Sequence, residues 1–217
     1  MPDASTVPPI LVPLLEGRAH GPIRTITFDD RPIAEAPPIG FTELRTGRGG
    51  PGRWRVCVDP TAPSPPHALA QTSTDATSYR FPLCLVDGFA AADVAVAVRL
   101  KPVAGVVDQA GGIVVRADDA DRYYVARANA LEDNVRLYRV IGGKREQIGG
   151  RDLKVASAIW HALGLVVVGT RFAVFFNGER LFEQDDATLA GPGRVGLWTK
   201  ADSVTHFDDL AAAAIVP

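Results

Sequence analysis

The chain has 217 residues, 47% hydrophobic and 22% charged, which supplies a packed core and argues against a disordered or coiled-coil chain. With 23 basic against 25 acidic side chains the formal net charge is -2, so no overall field draws the chain to nucleic acid or to an anionic membrane surface. The unusual counts are 21 Gly and 17 Pro, residues that punctuate short strands and weaken helices, and they point to an all-β fold with many turns.

In chain order, residues 1–22 are Pro-rich and read as an N-terminal arm, extended rather than helical, that wraps on the domain. Residues 23–217 read as a single β-sandwich domain. No apolar run reaches the roughly 18 to 20 residues of a membrane-spanning helix. The N-terminus has no basic region, and Pro13 interrupts its short apolar piece, so no secretory signal is expected in the chain as given. If a signal was removed, the expected compartment is periplasmic or extracellular, and otherwise cytoplasmic.

A first strand is expected over 23–28, then short strands over 40–44 and 54–58, with surface loops over 45–53 and 59–67. Val94, Val96, Val98 and Leu100 alternate with Ala95, Ala97, Arg99 and Lys101, a period of two with one wholly apolar face. Segments 112–117, 122–129 and 134–140 are joined by connectors of hairpin length and should be antiparallel neighbours. A second hairpin series runs 163–168, 171–176 and 180–183, its last turn marked by Asn177-Gly178. Strands over 193–199 and 205–210 close the pattern, about twelve to fourteen in all, as expected of one two-sheet antiparallel sandwich or jelly roll. Cys57 in Val-Cys-Val and Cys84 in Leu-Cys-Leu read as buried free thiols rather than a bridge. His20, His67, His161 and His206 show no metal-ligand spacing, so zinc is not expected.

Several stretches carry a family resemblance: Leu69-Ala70-Gln71-Thr72-Ser73, Tyr79-Arg80-Phe81-Pro82-Leu83, the run from Arg127 to Asn134, Trp160-His161, Asn177-Gly178-Glu179-Arg180-Leu181-Phe182, and the run from Gly193 to Leu210. Over about residue 26 to 210 the chain resembles the concanavalin A-like lectin/glucanase superfamily. Within it the chain is similar to bacterial domains labelled 3-keto-disaccharide hydrolase-like or family 16 glycoside hydrolase-like. The resemblance implies two curved antiparallel sheets, with carbohydrate as the partner lying across the concave face of one. It also implies terminal strands lying side by side, a corner that in such folds can hold a structural calcium ion. Asp29, Asp30, Asp208 and Asp209 would be its oxygen donors; the alternative is acids that cap loops or pair with Arg.

Retaining glucanases of this kind need two carboxylates about 5 to 5.5 Å apart, set on one strand as Glu-x-Asp-x-x-Glu. The nearest stretch here, Glu132-Asp133-Asn134-Val135-Arg136-Leu137, lacks the second and third acids. The regular strands over 94–100, 111–117, 122–129, 134–140, 163–168, 171–176 and 193–200 carry no acid, every Asp and Glu falling in turns, loops or the flanking strands. Their polar positions are Arg99, Arg116, Arg127, Asn129, Arg136, Tyr138, Trp198 and Lys200. From these the expected glycan contacts are Arg127, Asn129, Trp198 and Lys200, with Gln71 and Gln109: an aromatic face for the sugar ring and donors for its hydroxyls. The plainer alternative is an ordinary solvated sheet face. The favoured reading is therefore glycan binding without two-carboxylate catalysis. A hydrolase acting on glycosides or 3-keto-disaccharides would need an acid or base from a loop, with Asp108, Glu132, Asp133 and His161 as the nominees. A structural subunit that packs on a partner chain is the third reading.

Overall fold

The computed structural model describes residues 7–34 and 36–216. Its strands in chain order are β1 (His20–Ile26), β2 (Phe41–Gly47), β3 (Trp54–Val58), β4 (His67–Gln71) and β5 (Arg80–Ala91). They continue with β6 (Val94–Ala104), β7 (Ala110–Asp119), β8 (Arg122–Asn129), β9 (Asn134–Ile141) and β10 (Lys144–Asp152). The last are β11 (His161–Val168), β12 (Arg171–Phe176), β13 (Glu179–Asp185), β14 (Gly193–Thr199) and β15 (Val204–Ile215). Two antiparallel sheets result. Sheet A runs β13-β12-β11-β6-β15-β4-β3, with β1 also paired to β15, and sheet B runs β10-β9-β8-β7-β14-β5-β2. Both expected hairpin series are present as antiparallel neighbours, and the first and last strands lie side by side.

The inward face of β6 supplies Val94, Val96, Val98 and Leu100 to the core between the sheets, where they join Ile113, Val115, Tyr124, Leu137, Phe172 and Phe207. Burying each aliphatic side chain contributes about 1.5–3 kcal/mol. The rings of Tyr124 and Phe172 stand 4.5 Å apart across the two sheets, tying β8 to β12.

The opposite face of β6, Ala95 and Ala97, packs with Val166, Phe175, Ala211 and Ala213 beneath Leu11, Leu14 and Leu15 of the arm. Here the expectation of an extended arm is corrected. Residues Val12–Leu15 form one helical turn, α1, with Pro13 in its first turn, where a missing N–H costs nothing. The turn puts Leu11, Leu14 and Leu15 on one side, at the i, i+3, i+4 spacing that makes an apolar face. Gly164 makes room for it: a Cβ there would stand 3.0 Å from both Leu14 methyls. Residues 1–6 of the arm lie outside the described residues.

Sheet B coils. β5 and β10 are separated by five strand spacings, about 24 Å in a flat sheet. Yet the Tyr79 hydroxyl just before β5 donates to the Gly143 carbonyl at the β9–β10 turn at 2.8 Å. Thr46 of β2 meets the Tyr123 hydroxyl of β8 at 2.8 Å. The coil encloses a second core on the outer face of sheet B, made of Phe81, Leu83, Leu85, Val114, Tyr123, Val125, Tyr138, Val140 and Trp198. The outer face of sheet B is thus concave, closed by its own strands, whereas that of sheet A is covered by the arm.

Three strands were not expected from the sequence. β4 and β5 carry apolar residues on both faces, so neither alternates, and β10 is an edge strand of mostly charged, Gln and Gly residues. β1 begins at His20, inside the segment read as arm, and ends before Phe28.

Candidate functional site

The concave face is built on an aromatic floor. Period-two alternation brings Trp198 of β14 and Phe81 of β5 to the same side, and their rings stack at 5.4 Å and 18°. Tyr138 of β9 and Tyr123 of β8 complete the floor. Arg145 of β10 reaches back over it through the coil. Its guanidinium carbon lies 4.3 Å from the Tyr138 ring centre, 4.7 Å from Phe81 and 5.7 Å from Trp198. Trp198 is consequently 0% exposed: it faces the concave side, as its alternation with Lys200 implies, but lies beneath Arg145 rather than open to a sugar ring.

Beside this floor, at the ends of β8, β9 and β14, a polar cluster forms. Arg127 donates to Asn134 Oδ1, to Glu132 Oε2 at 2.7 Å and to the Tyr138 hydroxyl at 3.0 Å. Asn129 donates to Asp108 Oδ1 at 2.6 Å, while its own Oδ1 accepts the N–H groups of Leu131 and Glu132 at 2.9 and 3.2 Å, closing the β8–β9 turn. Lys200 pairs with Asp108 Oδ2. Five expected residues, Arg127, Asn129, Lys200, Asp108 and Glu132, thus converge.

The two acids are held in opposite directions. Burial pushes the Asp108 carboxyl up, against the opposing pull of Lys200 and Arg127, and the Glu132 charge adds to the rise. Glu132 also loses water, but Arg127 and Asn134 outweigh that loss and hold it below the usual carboxylate range.

The remaining nominees lie elsewhere. Gln109 follows Asp108 in the chain, donates to the Gly105 carbonyl at 3.1 Å and accepts from Ser157 at 2.8 Å, bracing the loop. Asp133 pairs with Lys154 at 2.9 Å and takes the Val155 N–H at 3.1 Å. Gln71 is buried in sheet A, where it accepts the Arg53 and Ser73 N–H groups and donates to the Ser73 and Ser203 carbonyls. His161, also in sheet A, contacts the Ala156 carbonyl at 2.9 Å and stacks on Phe176 at 5.0 Å. Arg116, fully buried, donates to the carbonyls of Ala92, Leu189 and Gly169, each at 2.7 Å, and so clasps three loops.

At the corner considered for calcium, Asp208 takes the N–H groups of Ser64 and Asp209, each at 2.8 Å. Asp209 accepts from the Ser64 hydroxyl, Asp29 takes the His67 N–H at 3.1 Å, and Asp30 turns outward to Arg31. These oxygens serve the loop before β4. Among the described residues no three His, Cys, Asp or Glu side chains are grouped to hold a metal. Cys57 and Cys84 are both free thiols.

Among the site residues that sequence reasoning missed are Arg145 and Tyr79. Arg145 sits on a strand with no apolar alternation, and Tyr79 in a turn, so neither carried a local signal.

No protein-family profile matches the chain, and no curated protein sequence matches it. Solved structures do. The carbohydrate-binding module CBM66 from Bacillus subtilis superposes with a TM-score of 0.63 at 17% identity, covering 79% of this chain and 93% of its own. The shared fold is a two-sheet antiparallel jelly roll. A β-glucanase from Bacillus licheniformis superposes with a TM-score of 0.58 at 12% identity, covering 89% and 98%. A galectin-like fold protein from Bacillus subtilis gives 0.55 at 10% identity, covering 81% and 90%.

Proposed function

We propose that this chain is a glycan-binding domain whose site is the concave face of sheet B. The observation that carries the reading is the convergence of Arg127, Glu132, Lys200 and Arg145 on the concave face of sheet B, above a stacked aromatic floor. Convergent donors and acceptors on a concave face suit a sugar, whose hydroxyls need both. The likeness of fold to a carbohydrate-binding module supports the same reading. Affinity electrophoresis of the whole chain against a panel of neutral and acidic polysaccharides tests it. Wild type is retarded by at least one polysaccharide, Lys200→Ala with Glu132→Ala weakens that retardation, and Arg180→Ala on the sheet A edge leaves it unchanged. Wild-type mobility unaffected by every polysaccharide refutes the reading.

A second reading, hydrolysis of glycosides or of the 3-keto-disaccharides that the resemblance suggests, is favoured by the opposite displacement of Asp108 and Glu132. Asp108 would be the proton donor and Glu132 the ionised partner. Release of reducing sugar that survives both Asp108→Asn and Glu132→Gln, or its absence in wild type, eliminates this pair.

A further inference from the structure

Among the described residues, cations of the concave face other than Arg145 stand beside carboxylates. Arg127 is paired with Glu132, Lys200 with Asp108 and Arg136 with Asp152. Arg145 has none among the described residues, and its Nη1 is buried without any hydrogen-bond acceptor. A buried guanidinium N–H without an acceptor loses hydration that nothing returns. Three aromatic faces within 6 Å recover part of that loss, since each ring's quadrupole attracts the cation. They donate no oxygen, so the hydrogen-bonding capacity of the fork stays unspent. The strand that carries it is anchored, because the Arg145 backbone N–H is held by the Tyr79 hydroxyl at 3.0 Å and β10 is paired to β9.

We propose that the glycan bound by this face is acidic, a uronic-acid-containing polysaccharide whose carboxylate pairs with Arg145. The inference rests on the glycan-binding reading above and narrows its ligand class. A planar guanidinium matches a planar carboxylate through two parallel N–H···O bonds, a geometry that a single hydroxyl cannot satisfy. Arg127 and Lys200, neutralised by their own partners, remain as donors for hydroxyls, while Arg145 supplies the uncompensated charge. Glu132 repels an anion at one end of the face and so fixes the end at which the carboxylate sits.

The test is isothermal titration of the whole chain with polygalacturonate, its methyl ester and a neutral glucan at low and high salt, for wild type, Arg145→Gln and Arg145→Lys, each checked by circular dichroism. Wild type binds the acid about ten- to hundred-fold more tightly than the ester, the span expected of a charged hydrogen-bonded pair, and the preference shrinks with salt. Arg145→Gln binds acid and ester alike, and Arg145→Lys keeps only part of the preference. Equal affinity of wild type for acid and ester overturns the proposal while leaving glycan binding intact, as does a preference that survives in Arg145→Gln. Binding to none of the three overturns the acidic-glycan proposal, and the glycan-binding reading falls with it only if the polysaccharide panel is also negative. Tighter binding to a sulfated glucan than to polygalacturonate also counts against a carboxylate ligand.

Discussion

The Tyr79 hydroxyl donates to the Gly143 carbonyl at 2.8 Å and accepts the Arg145 N–H at 3.0 Å, so one side chain clasps the segment before β5 to the far edge of the same sheet. Tyr79→Phe removes both bonds from a partly exposed position and should cost about 1 kcal/mol by urea denaturation. The sharper readout is amide exchange at Arg145, which should accelerate. Exchange at the wild-type rate would show that the coil closes without the clasp.

Gly196 sits where β14 shifts register against both β5 and β7. A Cβ there would stand 2.5 Å from the Cys84 carbonyl oxygen and 2.7 Å from the Leu85 Cα, and backbone atoms do not move aside as a side-chain tip would. Gly196→Ala should therefore destabilise the protein by about 1–3 kcal/mol, the usual cost of overpacking. A melting temperature equal to wild type would mean that β14 has slack at its bulge.

The arm contributes to stability rather than merely lying on the surface. Leu14 is 2% exposed and Val12 is 54% exposed, although they are two residues apart. Leu14→Ala should cost about 2 kcal/mol or more, with Val12→Ala within about 0.5 kcal/mol of wild type. Equal effects of the two substitutions in chemical denaturation would show that α1 does not seat as described.

Asp208 sets a pH dependence. Burial raises its carboxyl to about 7, with the Asp209 and Asp29 charges adding to the rise against the Ser64 and Asp209 N–H groups; its cross-strand neighbour is Arg99. Between the ordinary Asp value, about 4, and 7, the native state therefore holds a proton that the unfolded chain has lost. Stability should fall as pH rises through that window, by up to about 1.4 kcal/mol per pH unit, and level off above it. Asp208→Asn should flatten the profile there. A wild-type profile that rises over pH 4–7 would contradict the buried, protonated acid.

What the sequence revealed follows from which interactions are local. β6 could be read from alternation, and the hairpin at Asn177-Gly178 from turn chemistry, because each is decided within a few residues. β4 and β5 are buried on both faces and so lack a period, while β10 is stabilised by pairing with β9 and by the reach of Arg145 across the coil. The same limit applied to the site. Alternation correctly placed Trp198 and Lys200 on one face, and Arg127 and Asn129 on one face, but curvature is a property of the whole sheet. Hence the cover over Trp198 could not be read from β14, nor the distance of Gln71 from the rest of the cluster from β4.

The position of β15 has a kinetic consequence. This strand pairs with β1, β4 and β6, yet it is the last strand in chain order. During synthesis, sheet A has no centre until residues 204–215 leave the ribosome, so β6 emerges with an unpaired edge and an uncovered apolar face. Closing strands so far apart in sequence is slow, commonly milliseconds to seconds for β-sandwiches, and in that interval the edges of β6 and β4 that β15 later fills are open to pairing with other chains.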